Sequence, residues 1–218
     1  MAQTTKLLII SISDRTGDVS ALALVPKNAK ALLVLAHGAG AGMTHAFMEE
    51  VAEQLAGQDI ASLRYNFPYM EKRSKRPDPP AVAEKTVAVV MQKAHELYPK
   101  LPLFAGGKSF GGRMTSQRVA KECPDFLKGI VFFGFPLHAI GKPGMERAAH
   151  LKEVKVPMLF LQGTKDKLAD IGLMKKVIKG LKSATLQSFE GADHSFKVTK
   201  QHTKPDLVAA AADWMLAK

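Results

Sequence analysis

The feature that most restricts what this chain can fold into is a short apolar run that recurs and closes on a turn. Residues 31–36, Ala-Leu-Leu-Val-Leu-Ala, carry no polar side chain and lead directly into His37-Gly-Ala-Gly-Ala-Gly. A run without polar alternation is what a strand covered on both faces requires, and parallel sheets supply that environment. Similar strands are expected at 60–65, at 101–106, at 129–135, at 157–163 and at 185–189. Between them the spacing predicts helices from Thr44 onward, over about 81–97, from the serine turn to 122, over about 170–181 and over about 206–216. Phe47, Val51 and Leu55 mark the buried face of the first helix, and Val82, Val89 and Ala94 are inward candidates on the second. Two earlier strands, 6–12 and 21–25, flank the turn residues 14–18. A hairpin followed by alternating strands and helices specifies an α/β fold, with a mostly parallel central sheet and helices on both faces. The longest irregular connection, 66–80, is rich in Pro, Lys and Arg and is bounded by a strand and a helix of the same sheet. With no repeat and no boundary, residues 1–218 are expected to form one domain.

Composition narrows the functional classes. A chain of 218 residues can bury roughly 70% of the surface its unfolded form exposes, enough for a core without staples. The single cysteine, Cys123, excludes an internal disulfide framework and suits a reducing compartment. Beside Pro124 it reads as a packing residue. The N-terminal apolar stretch is interrupted by Ser11 and is too short for a secretory core. No run approaches the ~20 apolar residues of a membrane span, so a cytoplasmic protein without a membrane partner is expected. The net charge of +11 raises nucleic acid as a partner. Yet the lysines are scattered, and no aromatic residue interleaves the clusters at 72–76 and at Lys175, Lys176, Lys179 and Lys182. Solvated surface is the reading of that charge, and nucleic acid is not expected.

The chemistry starts at Gly107-Lys108-Ser109-Phe110-Gly111, which fits G-x-S-x-G, the nucleophile elbow of serine hydrolases. A serine at the tip of a tight strand-to-helix turn is strained, and glycines two residues away remove side chains that would collide. A phosphate-binding loop would need glycine at position 102, and Pro102 stands there. Three further stretches fall at strand C-termini, where open parallel sheets place their ligands: the 37–42 loop, Asp166 and His194. The chemistry assigns Ser109 as nucleophile, His194 as base and Asp166 as the group that orients the imidazole. The oxyanion would be held by the N–H of Phe110 and one from the 37–42 loop, Ala39 first and Gly40 next. Asp170 reads as a helix cap, Asp193 as an exposed loop residue and His37 as structural support for its loop. His95, His138 and His150 read as surface or boundary residues, as do His45 and His202 near helix starts. Without paired Cys/His spacing or H-E-x-x-H, neither a metal nor a cofactor is expected.

The strings LAHGAGAGMTHAFM, RYNFPYMEKR, GGKSFGGRM, FLQGTKD and GADHSF resemble the α/β-hydrolase superfamily over nearly the whole chain. In particular they resemble a family of small bacterial hydrolases with testis-expressed and histone-acetyltransferase-complex relatives in animals; the dienelactone hydrolases are wider kin. The resemblance implies the α/β-hydrolase fold and carries Ser109, Asp166 and His194 over as its triad. Dienelactone hydrolases use cysteine where Ser109 stands, so their reaction is not implied. Only about twenty residues separate Pro136 from Val156, too few for a cap domain, so an open site is expected. The expected function is a serine hydrolase acting on a small ester or thioester through an acyl-enzyme. The alternative is a catalytically idle fold used as a binding or scaffold module. Lys72, Arg73, Lys75 and Arg76 are candidates to rim the site and draw anionic substrates, against the alternative of a solvated loop.

Overall fold

The computed structural model describes residues 5–199 and 206–218. In chain order it contains strands β1 (Thr5–Ser13), β2 (Gly17–Leu24) and β3 (Ala31–Ala36), helix α1 (Ala46–Ala56) and strand β4 (Ile60–Tyr65). Helices α2 (Pro68–Glu71) and α3 (Pro80–Leu97) follow, then β5 (Leu103–Lys108), α4 (Phe110–Lys121) and β6 (Leu127–Phe133). A 3-10 helix at Glu146–Glu153 leads to β7 (Met158–Gly163), α5 (Ile171–Lys179), β8 (Ala184–Phe189) and α6 (Leu207–Leu216). The strands form one sheet in the order β1-β2-β4-β3-β5-β6-β7-β8. β2 runs antiparallel to both β1 and β4, and every other neighbouring pair is parallel.

The apolar runs are continuous because each strand feeds two cores. In β3, Leu32, Val34 and Ala36 join one core while Ala31, Leu33 and Leu35 join the other. The same period of two divides Ile130 and Phe132 from Val131 and Phe133 in β6, and Met158 and Phe160 from Leu159 and Leu161 in β7. α1 and α6 cover one face, packing against each other. α3, α4 and α5 cover the opposite face. The expected mostly parallel sheet with helices on both faces is therefore present. At the edge, β1 leaves Leu7 and Ile9 exposed.

Some local expectations shift. β2 begins at Gly17, four residues before the apolar run, because the hairpin ladder with β1 extends through its polar half. In α3 the inward stripe is Ala83, Val87, Val90, Met91 and Ala94, while Val82 and Val89 sit half-buried on its flanks. The stripe follows the i, i+4, i+7, i+8, i+11 spacing, in which small Ala83 and Ala94 let the helix approach the sheet. The 66–80 connection is not wholly irregular. It contains α2, which starts on Pro68 as the ring's fixed φ allows. The Glu71 carboxylate accepts from the Ser20 N–H and from Asn66, tying α2 to β2. Between β6 and β7 the chain makes only the 3-10 helix, with no cap domain among the described residues. None of the described helices is long and apolar enough to cross a membrane.

Candidate active site

Ser109 stands alone between the end of β5 and the start of α4, at φ 49° and ψ −111°. That left-handed backbone is rare for a residue with a side chain and marks stored strain. The sharpness of the turn brings both flanking glycines against β3. A Cβ on Gly107 would lie 2.2 Å from the Ala36 carbonyl oxygen, and one on Gly111 would lie 2.6 Å from that of His37. No other residue fits at either place without moving the central strand.

Two other loops converge on Ser109 Oγ. His194, in the loop after β8, has Nε2 at 2.9 Å from Ser109 Oγ. Its Nδ1 lies 2.6 Å from Asp166 Oδ2, in the loop after β7. A carboxylate only accepts, so Nδ1 carries the proton and Nε2 is left to accept from the serine hydroxyl. The Asp166 side chain is fully buried and is fixed by two more donors, Gln162 Nε2 at 2.6 Å and the Leu168 N–H at 2.7 Å. Gln162 in turn accepts from the Phe135 N–H at 3.0 Å, so the acid is braced from β7 and from the end of β6. A second serine–histidine contact exists, Ser116 Oγ to His150 Nε2 at 2.8 Å. Ser116 is fully buried, and its hydroxyl also donates to the Arg113 carbonyl. That pair holds α4 to the 3-10 helix.

The 37–42 loop is shaped from below. His37 is buried, and burial pushes its pKa down to about 4, so the ring is neutral. Nε2 accepts from the Phe67 N–H at 3.0 Å, which assigns the ring proton to Nδ1, 2.8 Å from the Gly38 carbonyl. The Tyr69 hydroxyl donates to the Ala39 carbonyl at 2.8 Å. In a trans peptide the N–H points opposite to the preceding carbonyl. The amides of Ala39 and Gly40 are therefore turned away from His37 and Tyr69, and they have no acceptor among the described residues. His37 is structural, as the sequence suggested. Tyr69 was not foreseen, since only folding brings the 66–80 connection to this loop.

Ala39 and Gly40 line a cavity of about 990 Å³ together with Ser109 and His194. Its apolar wall comes from Phe47, Met48, Phe196 and Val198, and Lys108 completes one side. Phe110 opens α4 directly after the serine and packs its ring against Phe67. Lys72, Arg73, Lys75 and Arg76 do not line this cavity. α2 and Tyr69 turn the chain away, and Lys72 and Arg76 border a neighbouring depression with Pro77 to Pro80. Asp170 caps α5 by accepting from the Leu173 N–H, and Asp193 is an exposed loop residue that accepts from Ser195 and Lys197. His45 caps α1, and His95 stacks on Phe126. His138 is buried rather than superficial: its Nε2 accepts from the Asp170 N–H, pinning the β7–α5 connection. His202 lies outside the described residues. Cys123 is half-buried and packs against the core, as expected. No group of His, Cys, Asp and Glu among the described residues could hold a metal ion.

Solved structures share this architecture end to end. A dienelactone hydrolase from Anabaena variabilis superposes with a TM-score of 0.77 at 20% identity, covering 100% of this chain and 97% of that one. An α/β serine hydrolase homologue from Coxiella burnetii gives 0.75 at 16% identity, with 100% and 97% covered. An α/β serine hydrolase without lid from Xanthomonas campestris gives 0.71 at 16% identity, with 100% and 94% covered. At these identities the likeness is one of fold. The model of the alpha/beta hydrolase domain matches residues 29–217, and the chain belongs to that family.

Proposed function

We propose that the protein is a serine hydrolase that cleaves carboxylic esters or thioesters through an acyl-enzyme. The observation that carries this reading is the hydrogen-bonded line Asp166–His194–Ser109, which ends on a strained serine open to a cavity. His194 Nε2 takes the hydroxyl proton as Ser109 Oγ attacks the acyl carbon. The carbonyl electrons move onto oxygen, where the free amides of Ala39 or Gly40 and the first amide of α4, that of Phe110, stabilise the charge. Collapse of the tetrahedral species expels the alcohol or thiol, which leaves with the proton from His194. A water, deprotonated by the same imidazole, then splits the acyl-serine and releases the acid. Asp166 keeps the imidazole in the tautomer that can accept from Ser109 throughout.

The lack of a cap between β6 and β7 favours small or extended acyl substrates. The narrower kinship with the testis-expressed and histone-acetyltransferase-complex relatives belongs to the same proposal and rests on the motif strings. A panel of short-chain nitrophenyl esters and matched thioesters tests the activity. Turnover by the wild type that vanishes in Ser109→Ala, with unfolding unchanged, is the expected result. Turnover that survives in the variant refutes the assignment. A folded wild type inert towards the panel would favour a binding module.

A further inference from the structure

Lys108 is the last residue of β5 and the covalent neighbour of Ser109. Its side chain runs into the cavity wall instead of out to solvent. Nζ donates a short hydrogen bond to the backbone carbonyl of His194. The same nitrogen lies 5.2 Å from the centre of the Phe196 ring and 5.9 Å from that of Phe47, within the range of cation–π attraction. Gly134, just past β6, keeps the space open: a Cβ there would stand 3.0 Å from Nζ and 3.5 Å from the His194 ring. One amine thus bonds the base's loop and sits beside Phe47 on the first turn of α1, in space that Gly134 leaves open.

The loop that carries His194 is tied to the segment after β7, where the Ala192 carbonyl accepts from the Lys165 N–H and the Gly191 N–H donates to Thr164 Oγ1, and its turn is then closed by bonds of its own. The Asp193 carboxylate accepts from the N–H groups of Ser195 and Lys197, and the Asp193 carbonyl accepts from Phe196. These bonds give the turn its shape but do not place it over β5. The imidazole reaches Ser109 and Asp166, but a ring alone can swing about its side-chain torsions. The bond from Lys108 fixes the backbone from which the ring hangs, and it starts one residue from the nucleophile.

Resting on the hydrolase reading of Ser109, we infer that Lys108 is a positioning residue whose ammonium locks the His194 backbone to the nucleophile strand. A charged donor makes that lock stronger than a neutral one. Burial lowers the Lys108 pKa to about 8, with Asp166 and Asp193 pulling the other way. The remaining titratable groups around it are His194 itself and, on the same cavity wall, His45, Glu50 and Lys197. As pH rises through about 8 the amine loses its charge, and with it the ring attraction and the charge-assisted bond. Misplacement of a catalytic group by about 1 Å costs on the order of 10²-fold in rate.

The test is the rate at which a fluorophosphonate modifies Ser109 in the full chain, followed from pH 6.5 to 10; Oγ bonds to phosphorus and fluoride leaves. The wild-type rate should fall above about pH 8. Lys108→Met should react about 10²-fold more slowly at pH 7 and lose that alkaline fall. Lys108→Arg, which stays charged, should recover part of the rate and hold it above pH 8. A wild-type rate that stays level from pH 8 to 10, or a methionine variant as fast as wild type, overturns the inference. Should the methionine variant not fold, the wild-type and arginine profiles decide. A wild type that reacts at no pH overturns the hydrolase reading, and this inference with it.

Discussion

Ser109 at φ 49° and Gly111 against the His37 carbonyl belong to one steric problem, because the tight turn that exposes the serine drives the following helix onto β3. Gly111→Ala should destabilise the fold by ~1–3 kcal/mol, as other overpacked sites do, and urea unfolding would measure it. No change in midpoint would mean that β3 has room to spare. Tyr69→Phe removes the donor to the Ala39 carbonyl while leaving the ring. If Ala39 and Gly40 hold the oxyanion, losing about 1 kcal/mol of alignment should lower kcat/KM roughly fivefold, mostly in kcat. An effect confined to KM would place Tyr69 in substrate binding instead. The residues that line up on Ser109 were readable in the sequence because each follows an apolar run at a strand end. Lys108 and Tyr69 were not. Lys108 occupies a position the motif leaves free, and its partner His194 is 86 residues away. Tyr69 reaches Ala39 across 30 residues through a fold, not through any local pattern.

At the scale of elements, chain order and type were legible because apolar runs and amphipathic stretches alternate without ambiguity. β4 and β8 fall within a residue of the expected bounds. The face of α3 was harder to read, because alanine and valine stand on its flanks as well as on its buried stripe, and hydrophobicity hardly distinguishes the two. α2 escaped because a four-residue helix has too little length for any period to show. Helix starts are more readable, as the Asp170 cap on α5 illustrates. Asp170→Ala should cost ~1 kcal/mol of stability, read as a lower melting temperature with unaltered activity. A loss of activity instead would mean that the α5 cap also sets the position of Asp166.

For the whole molecule, stability couples to pH through two of the described histidines, His37 and His150. Burial holds both His37 and His150 at about 4, well below their ordinary 6.5. Between pH 6.5 and about 4 the unfolded chain therefore takes up protons that the folded one does not. Their contribution to stability is complete above pH 6.5 and drains away as pH falls towards 4. Melting temperature should drop across that window, and a level profile would show that one or both rings charge in place. The sheet itself was legible at this scale, since runs covered on both faces admit few other architectures. The depression beside Lys72 and Arg76 was not, because charge runs say nothing of which way a loop turns. The central claim is that Ser109, activated by His194 and Asp166, is the nucleophile, and covalent trapping tests it most directly. Incubation of the full chain with a fluorophosphonate, followed by peptide mass spectrometry, should find one modification per chain, on Ser109, and almost none in His194→Ala. Modification at another serine, or a folded protein that remains unmodified, would contradict the account.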